Sequence, residues 1–241
     1  MAFIIMVTVN GLAGSTTFIG GRNTAQISDA NPTLITPAGY VFSIWGVIYL
    51  LLGIFVVFQA LPSQQGKDFQ KKISWFFVIS STLNICWLFL WQFQQLSFSV
   101  VLMFLLLASL IMIYLRLGIN KSKAALNEKL AVHLPFSIYL GWITIASIAN
   151  VAVAAVSVNW DGFGIAAETW ATLVIATALL ITLLVVFTRK DVIYGLVIIW
   201  ALIGISVKQS GNAMIVTLTQ SCAVAVAISV AATLLVMLKR R

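Results

Sequence analysis

Ring side chains spaced at helical intervals within apolar stretches are the residues of this sequence best suited to binding chemistry. Two sets of three recur at i, i+4 and i+8, the spacing of one helical face: Trp45, Tyr49 and Gly53, and Trp142, Ala146 and Asn150. A large ring beside a small side chain leaves room for either a neighbouring helix or a flat ligand. The spacing alone leaves both interpretations open.

Two asparagines lie well inside apolar stretches and are the main polar groups there. Asn84 and Asn150 are uncharged, and each can donate and accept hydrogen bonds. Between membrane helices such a side chain contributes about 1 kcal/mol through an interhelical hydrogen bond. The alternative is a direct contact with a ligand, and the sequence leaves both open.

Groups that could carry acid–base, nucleophilic or metal chemistry are sparse. His133 and Glu168 lie near the ends of apolar stretches, and Asp161 lies in a short loop. Cys86 and Cys222 are isolated in apolar runs, which is not the spacing of a metal site or a disulfide framework. We therefore predict no catalytic residue, no metal site and no ion-coupled transport, and the sequence favours a protein that is not an enzyme.

The composition dictates the solvent in which these side chains must be positioned. Of the 241 residues, 61% are hydrophobic and 8% are charged, whereas soluble domains carry roughly 45–50% apolar and about 25% charged residues. The sequence therefore predicts an all-α integral membrane protein, a bundle of about eight transmembrane helices. The predicted spans are 2–19, 39–60, 73–93, 97–116, 130–157, 165–187, 191–207 and 212–238.

The basic residues are distributed unevenly between alternate loops. Twelve of the 14 Lys and Arg fall after the second, fourth and sixth spans and in the C-terminal tail, and only Arg22 and Lys208 fall elsewhere. Because cytoplasmic loops collect Lys and Arg, both termini are predicted to be cytoplasmic, with the plasma (inner) membrane as the default. Topology explains the basic excess, so no nucleic-acid partner is implied.

Several rings fit the boundary between membrane and water rather than the interior. Trp160 fits the aromatic belt, and Trp75 and Trp91 are further candidates for it. Tyr40, at the start of the second span, fits the same anchoring role.

Three short motifs occur in a fixed order on the second, third and fifth spans. They comprise Pro32, Pro37, Trp45, Gly46, Tyr49 and Gly53 at the second span, Leu83, Asn84 and Trp87 on the third, and Tyr139, Trp142, Ala146 and Asn150 on the fifth. In this order and spacing they resemble the TspO/MBR family, the tryptophan-rich sensory or translocator proteins. The resemblance covers about residues 1–157.

The resemblance implies a five-helix core with a pocket open towards the loop 20–38. Members of the TspO/MBR family bind porphyrins, haem and hydrophobic ligands such as sterols, and are linked to tetrapyrrole handling and stress signalling. The resemblance therefore implies a receptor for a flat hydrophobic molecule, with no obligatory cofactor but with porphyrin or haem as a ligand. The implied ligand-binding residues are Pro37, Trp45, Tyr49, Gly53, Asn84, Trp87, Tyr139, Trp142, Ala146 and Asn150.

The sequence departs from the family in three ways. Ile138 replaces the proline before the fifth-helix tyrosine, and the end of the vertebrate sterol motif is missing from 151–158. Residues 158–241 add three spans and a basic tail to the core of residues 1–157. We expect these spans to cover a face that otherwise packs against a second copy, which would make the chain monomeric.

Two other functions remain as alternatives to a receptor. A transporter of a small apolar solute suits the number of spans, although no internal inverted repeat and no ion site inside the membrane accompany it. A structural membrane subunit is the other. An enzyme acting on a porphyrin or lipid lacks the residues for catalysis.

Overall fold

The computed structural model describes residues 1–239, which contain eleven α-helices and no strand. Arg240 and Arg241 of the predicted basic tail lie outside these residues. The helices are α1 Ala2–Ser15, α2 Thr24–Ala30, α3 Ile44–Ala60, α4 Asp68–Ile73, α5 Phe76–Gln92, α6 Leu96–Leu117, α7 Leu126–Glu128, α8 Leu134–Ser157, α9 Ala167–Arg189, α10 Val192–Lys208 and α11 Ala213–Lys239. The predicted all-α class is confirmed for the described residues.

The helices differ in whether their length alone suffices to cross a membrane. Five helical stretches are long and apolar enough to do so: Gly39–Ala60, Leu96–Leu117, Leu126–Ser157, Ala167–Arg189 and Ala213–Lys239. The apolar helices α1, α5 and α10 are shorter, with 14, 17 and 17 residues. At 1.5 Å per residue, α1 rises only about 21 Å, against a hydrocarbon core of about 30 Å. The chain is a multi-pass membrane protein, and the count of eight spans stays a prediction.

Local backbone chemistry explains where two helices depart from the predicted spans. Ser74 has a φ of +45°, which separates α4 from α5, so the span predicted from residue 73 begins at Phe76. The residues Lys129–His133 form a π-helical turn that joins α7 to α8. Pro135 follows after Leu134, and a wider turn accommodates its ring and its missing N–H inside a long helix.

Five helices within residues 1–157 form a ring. Helix α8 packs between α3 and α6, α6 packs against α5, and α5 packs against α1. The phenyl group of Phe3 on α1 lies against Gly53 on α3, and this contact completes the ring of helices.

The three C-terminal helices pack on one face of this ring through α10. Gly141 on α8 allows the approach, since a Cβ there would lie 3.1 Å from Cβ of Val197 on α10. Helices α9 and α11 pack against α10 and against each other. The added helices thus cover part of α8. The expectation of a monomer requires such coverage, and the oligomeric state stays a prediction.

The loops that hold the excess of basic residues meet at one end of the bundle. Arg116 Nη2 donates to the carbonyl of Lys71 at 3.4 Å, and Asn120 Nδ2 donates to the carbonyl of Lys190 at 3.5 Å. These contacts join the loops after the second, fourth and sixth predicted spans. We call this the basic end; which side of the membrane it faces stays a prediction.

A fully buried carboxylate at the basic end ties the C-terminal helices to the ring. Asp191, between α9 and α10, accepts hydrogen bonds from Tyr114 Oη on α6 at 2.8 Å and from Ser137 Oγ on α8 at 2.7 Å. It also caps α10 by accepting from the backbone N–H of Tyr194 at 3.1 Å. No role was predicted for Asp191 from the sequence, although an aspartate at the start of a predicted span suits a helix N-cap.

Candidate functional site

Five rings from three helices form one connected group around Trp45, which we call the aromatic cluster. Tyr49 and Trp87 stack on Trp45 with centroid distances of 5.5 and 6.0 Å. Tyr139 and Trp142 present their edges to it at 6.0 and 6.1 Å. Stacked and edge-to-face pairs at these distances are favourable, by about 0.5–1.5 kcal/mol each beyond their buried area. The three motif-bearing helices α3, α5 and α8 therefore converge at this point.

A small cavity of about 30 Å³ lies beside the aromatic cluster. Six of the predicted ligand-binding residues border it: Pro37, Trp45, Trp87, Trp142, Ala146 and Asn150. The stripe predicted on the fifth span thus faces one space. This space holds about one water molecule, whereas sites for drug-sized ligands have about 300–1,000 Å³. The protein's own rings fill most of the predicted pocket.

The other four predicted residues do not border this cavity. Tyr49 and Tyr139 lie behind Trp45 and contact its ring. Asn84 is fully buried, and its Oδ1 accepts a hydrogen bond of 2.7 Å from Asn10 Nδ2 on α1. Gly53 faces the ring of Phe3.

Asn150 holds the cavity wall together by bonding to two other helices. Its Oδ1 accepts from Trp87 Nε1 on α5 at 2.7 Å, and its Nδ2 donates to Ser99 Oγ on α6 at 2.9 Å. This is the interhelical role that the sequence left open against a ligand contact. Because its partners are protein groups, Asn150 fixes the orientation of the Trp87 ring at the cavity.

Four buried polar atoms of the predicted site have no hydrogen-bond partner. They are Tyr49 Oη, Asn84 Nδ2, Tyr139 Oη and Trp142 Nε1. A buried polar group left unpaired costs about 1–3 kcal/mol, and native proteins contain few. All four can donate a hydrogen bond. Only Trp142 Nε1 belongs to a residue that borders the cavity, so it is the donor that a molecule in the cavity would meet.

The segment between α1 and α3, residues 16–43, roofs the cavity, and we call it the mouth segment. It contributes Thr24 and Ser28 from α2, together with Pro37 and Phe42, to the lining. Helix α2 begins with a capping box, in which Asn23 and Gln26 each accept from the other's backbone N–H. This local bond pattern gives a short polar helix a defined place over the aromatic cluster.

Trp91 belongs to the cavity wall, so its prediction as an aromatic-belt residue is wrong. It is 4% exposed, its Nε1 donates to the carbonyl of Thr24 at 3.2 Å, and its ring packs 5.8 Å from that of Trp87. Trp75, by contrast, is 74% exposed, as a boundary ring should be. The signal for Trp91 was present in the sequence, since it follows Trp87 by four residues on the same helical face.

Six further lining residues were not predicted, and only some of them could have been predicted from the sequence. They are Thr24, Ser28, Phe42, Ile145, Ala149 and Val153. Phe42 precedes Trp45 by one helical turn and contacts Trp142 edge to face at 5.9 Å. The residues from α8 continue the predicted stripe. Nothing in the local sequence indicates that Thr24 and Ser28 fold over a distant tryptophan.

The lining has stacking faces and uncharged polar groups but no ionisable side chain. Within residues 1–239, no three His, Cys, Asp or Glu side chains cluster as metal ligands. His133 lies apart from the cavity, buried in the π-helical turn, and neither ring nitrogen has a hydrogen-bond partner. Glu128 Oε1 is 3.9 Å from Nε2 of His133, which is beyond hydrogen-bond distance. The cavity can stack on and hydrogen-bond a molecule.

Comparison with known proteins gives one match, to a family model. The model described as TSPO-like protein matches residues 1–236, which include the three C-terminal helices as well as the ring. Neither the curated proteins nor the solved structures gave a match. Since the family model covers nearly the whole chain and the motif-bearing helices converge on one aromatic cluster, this protein belongs to the TSPO-like family.

Proposed function

We propose that this protein binds a flat hydrophobic molecule at the aromatic cluster and acts as a membrane receptor with a stress-sensing or regulatory role. A tetrapyrrole, porphyrin or haem, is the first candidate ligand, and a sterol or isoprenoid-type lipid is the second. The observation that carries the proposal is the convergence of Trp45, Trp87 and Trp142 on a cavity without ionisable side chains. Apolar area and ring stacking supply most of the affinity in such a site.

The unpartnered donors favour a ligand that carries hydrogen-bond acceptors. Asn84 Nδ2, Trp142 Nε1 and the hydroxyls of Tyr49 and Tyr139 are buried at the cluster without partners. Of these, only Trp142 borders the cavity, so a carboxylate, carbonyl or hydroxyl oxygen of a ligand there would pair with Trp142 Nε1 and remove the cost of leaving it unpaired. A pure hydrocarbon would not.

Binding requires the rings to move apart. The centroids of Trp45 and Trp87 are 6.0 Å apart, with an angle of 30° between the rings. A flat molecule between two rings needs about 7 Å, because each face-to-face contact takes about 3.5 Å. The centroid distance includes any sideways offset of the two rings, so Trp45 and Trp87 would have to separate before one flat ring system could lie between them.

The test is a titration of the purified protein in detergent with protoporphyrin IX, followed by tryptophan fluorescence. We expect saturable quenching at micromolar porphyrin, and Trp142→Ala to weaken binding about tenfold or more, since it removes a stacking face and a donor. Trp75→Ala is the matched control, because Trp75 is exposed and remote from the cavity lining. If the wild type shows no saturable quenching, or if the two variants weaken binding equally, the proposed site is wrong.

A further inference from the structure

One face of α10 packs against the mouth segment. Trp200, Gly204 and Lys208 follow one another at intervals of four residues and so share that face. Trp200 Nε1 donates to the carbonyl of Val41 at 3.3 Å, and Lys208 Nζ forms an ion pair of 2.6 Å with Asp29. The C-terminal helices therefore contact the segment that roofs the cavity.

Gly204 is where the two backbones meet. The N–H of Ala38 donates to the carbonyl of Gly204 at 3.0 Å. A Cβ at Gly204 would overlap Cγ2 of Val41 and lie 3.3 Å from Cβ of Pro37. Pro37 also borders the cavity, so one residue separates α10 from the ligand space.

The mouth segment is held on its other side by α5, with buried contacts. Gln92 Nε2 donates to the carbonyl of Ala13 at 3.2 Å and to Thr24 Oγ1 at 3.3 Å. Gly20, with a φ of +74°, packs so closely that a Cβ would lie 2.5 Å from the carbonyl oxygen of Gln92. The contact between Gln92 and Thr24 is buried, whereas the side chains of Lys208 and Asp29 are 37% and 46% exposed. The α10 side combines this exposed ion pair, which water replaces at little cost, with the buried contact of Val41 against Gly204.

A flat ligand can enter this narrow cavity only if it widens. At about 30 Å³ it excludes any flat ring system, and four of its lining residues lie on the mouth segment. We propose that α10 is a latch: with the mouth segment docked on Gly204 the aromatic cavity is closed, and undocking from α10 opens it. This regulation rests on the proposed function as far as the identity of the ligand is concerned, but opening itself can be measured without a ligand.

The first experiment measures opening with a thiol in the cavity. A protein with Cys86→Ser and Cys222→Ala carries Val153→Cys as the reporter, because Val153 borders the cavity and is 1% exposed, and reacts with N-ethylmaleimide in detergent. Labelling is proportional to the open fraction when the closed cavity excludes the reagent. We expect Gly204→Ala to accelerate labelling about tenfold, because its methyl group destabilises only the docked state.

Gly211→Ala is the matched control, because a Cβ at Gly211 meets no atom within 4 Å. We expect it to label at the rate of the parent. Equal labelling rates in Gly204→Ala and Gly211→Ala would overturn the latch.

A milder variant covers the case in which Gly204→Ala does not fold. Lys208→Gln removes only the exposed ion pair with Asp29, and we expect labelling to rise about two- to threefold. Lys121→Gln, at the basic end, is its control and should have no effect. If Lys208→Gln also labels at the parent rate, the mouth segment does not open on the α10 side.

The second experiment locks the latch. In the Cys86→Ser, Cys222→Ala background, Val41→Cys with Gly204→Cys places two Cβ atoms about 3.3 Å apart, close to the roughly 3.5–4.5 Å of disulfides. We expect the oxidised protein to bind protoporphyrin IX at least about tenfold more slowly than the reduced protein. Equal rates would contradict the latch. If no form binds porphyrin, the proposed function fails, and the labelling rates still decide whether α10 closes the cavity.

Discussion

Replacing Asp191 tests whether one buried carboxylate attaches the C-terminal helices to the ring. In Asp191→Asn the shape is retained and the cap to the backbone of Tyr194 can persist, since asparagine also caps helices. What changes is the acceptor for the hydroxyls of Tyr114 and Ser137, which lie 2.8 and 2.7 Å away. One carboxylate oxygen becomes an NH2 group that cannot accept.

The expected loss follows from these bonds. Hydrogen bonds to a charged group contribute about 1.5–3 kcal/mol each. Losing one and weakening the other lowers the free energy of unfolding by about 3 kcal/mol. For a chain of this length, 1 kcal/mol corresponds to about 2–4 °C in melting temperature, so we expect a decrease of about 6–12 °C.

The assay is thermal unfolding of the purified protein in detergent, followed by tryptophan fluorescence. Asp161→Asn is the matched control: this aspartate is exposed, caps a short turn through Phe163, and should change the melting temperature by less than about 2 °C. Tyr114→Phe alone should cost about 1.5–2 kcal/mol. Because Tyr114 and Asp191 share a bond, the double variant should cost less than the sum of the single variants. A melting temperature of Asp191→Asn within 2 °C of wild type, or strict additivity, would refute the reasoning.

Two further variants test the packing around the site and the attachment of the added helices. Asn150→Leu leaves Trp87 Nε1 buried without its acceptor and should lower the free energy of unfolding by about 2 kcal/mol, measured by thermal unfolding. Ser99→Ala keeps the Trp87 bond and should cost about half as much. Equal costs would show that the Trp87 bond contributes nothing. Gly195→Ala would place a Cβ 2.7 Å from Cγ2 of Val230 on α11 and should cost about 1–3 kcal/mol, with partial recovery on adding Val230→Ala; a lack of recovery would mean that the strain lies elsewhere.

The sequence predicted the helices well where length and polarity define them. The span predicted at 97–116 is α6, Leu96–Leu117, and the span at 212–238 is α11, Ala213–Lys239. Apolar runs bounded by charged or polar residues predict the ends of helices well, because each backbone must satisfy its own hydrogen bonds in lipid. The prediction was less accurate at 73–93, where the break at Ser74 depends on one backbone angle.

The candidate site was predicted in part, for a related reason. Helical spacing placed Trp45 beside Tyr49, and Trp142 beside Ala146 and Asn150, on single faces, and these pairs and stripes do face inward. Spacing does not say which helix lies opposite a face, so the bond from Asn10 to Asn84 was not foreseen.

The sequence by itself determined the solvent, the helix class, the segregation of basic loops and the ring-bearing faces, because these follow from composition and from a period of 3.6 residues. Only the tertiary structure decided that the cavity is nearly filled, that Asp191 joins α6, α8 and α10, and that α10 holds the mouth segment. The physical reason is that each of these depends on partners distant in sequence. In nearly uniformly apolar helices, close packing selects those partners, and no local pattern records the choice.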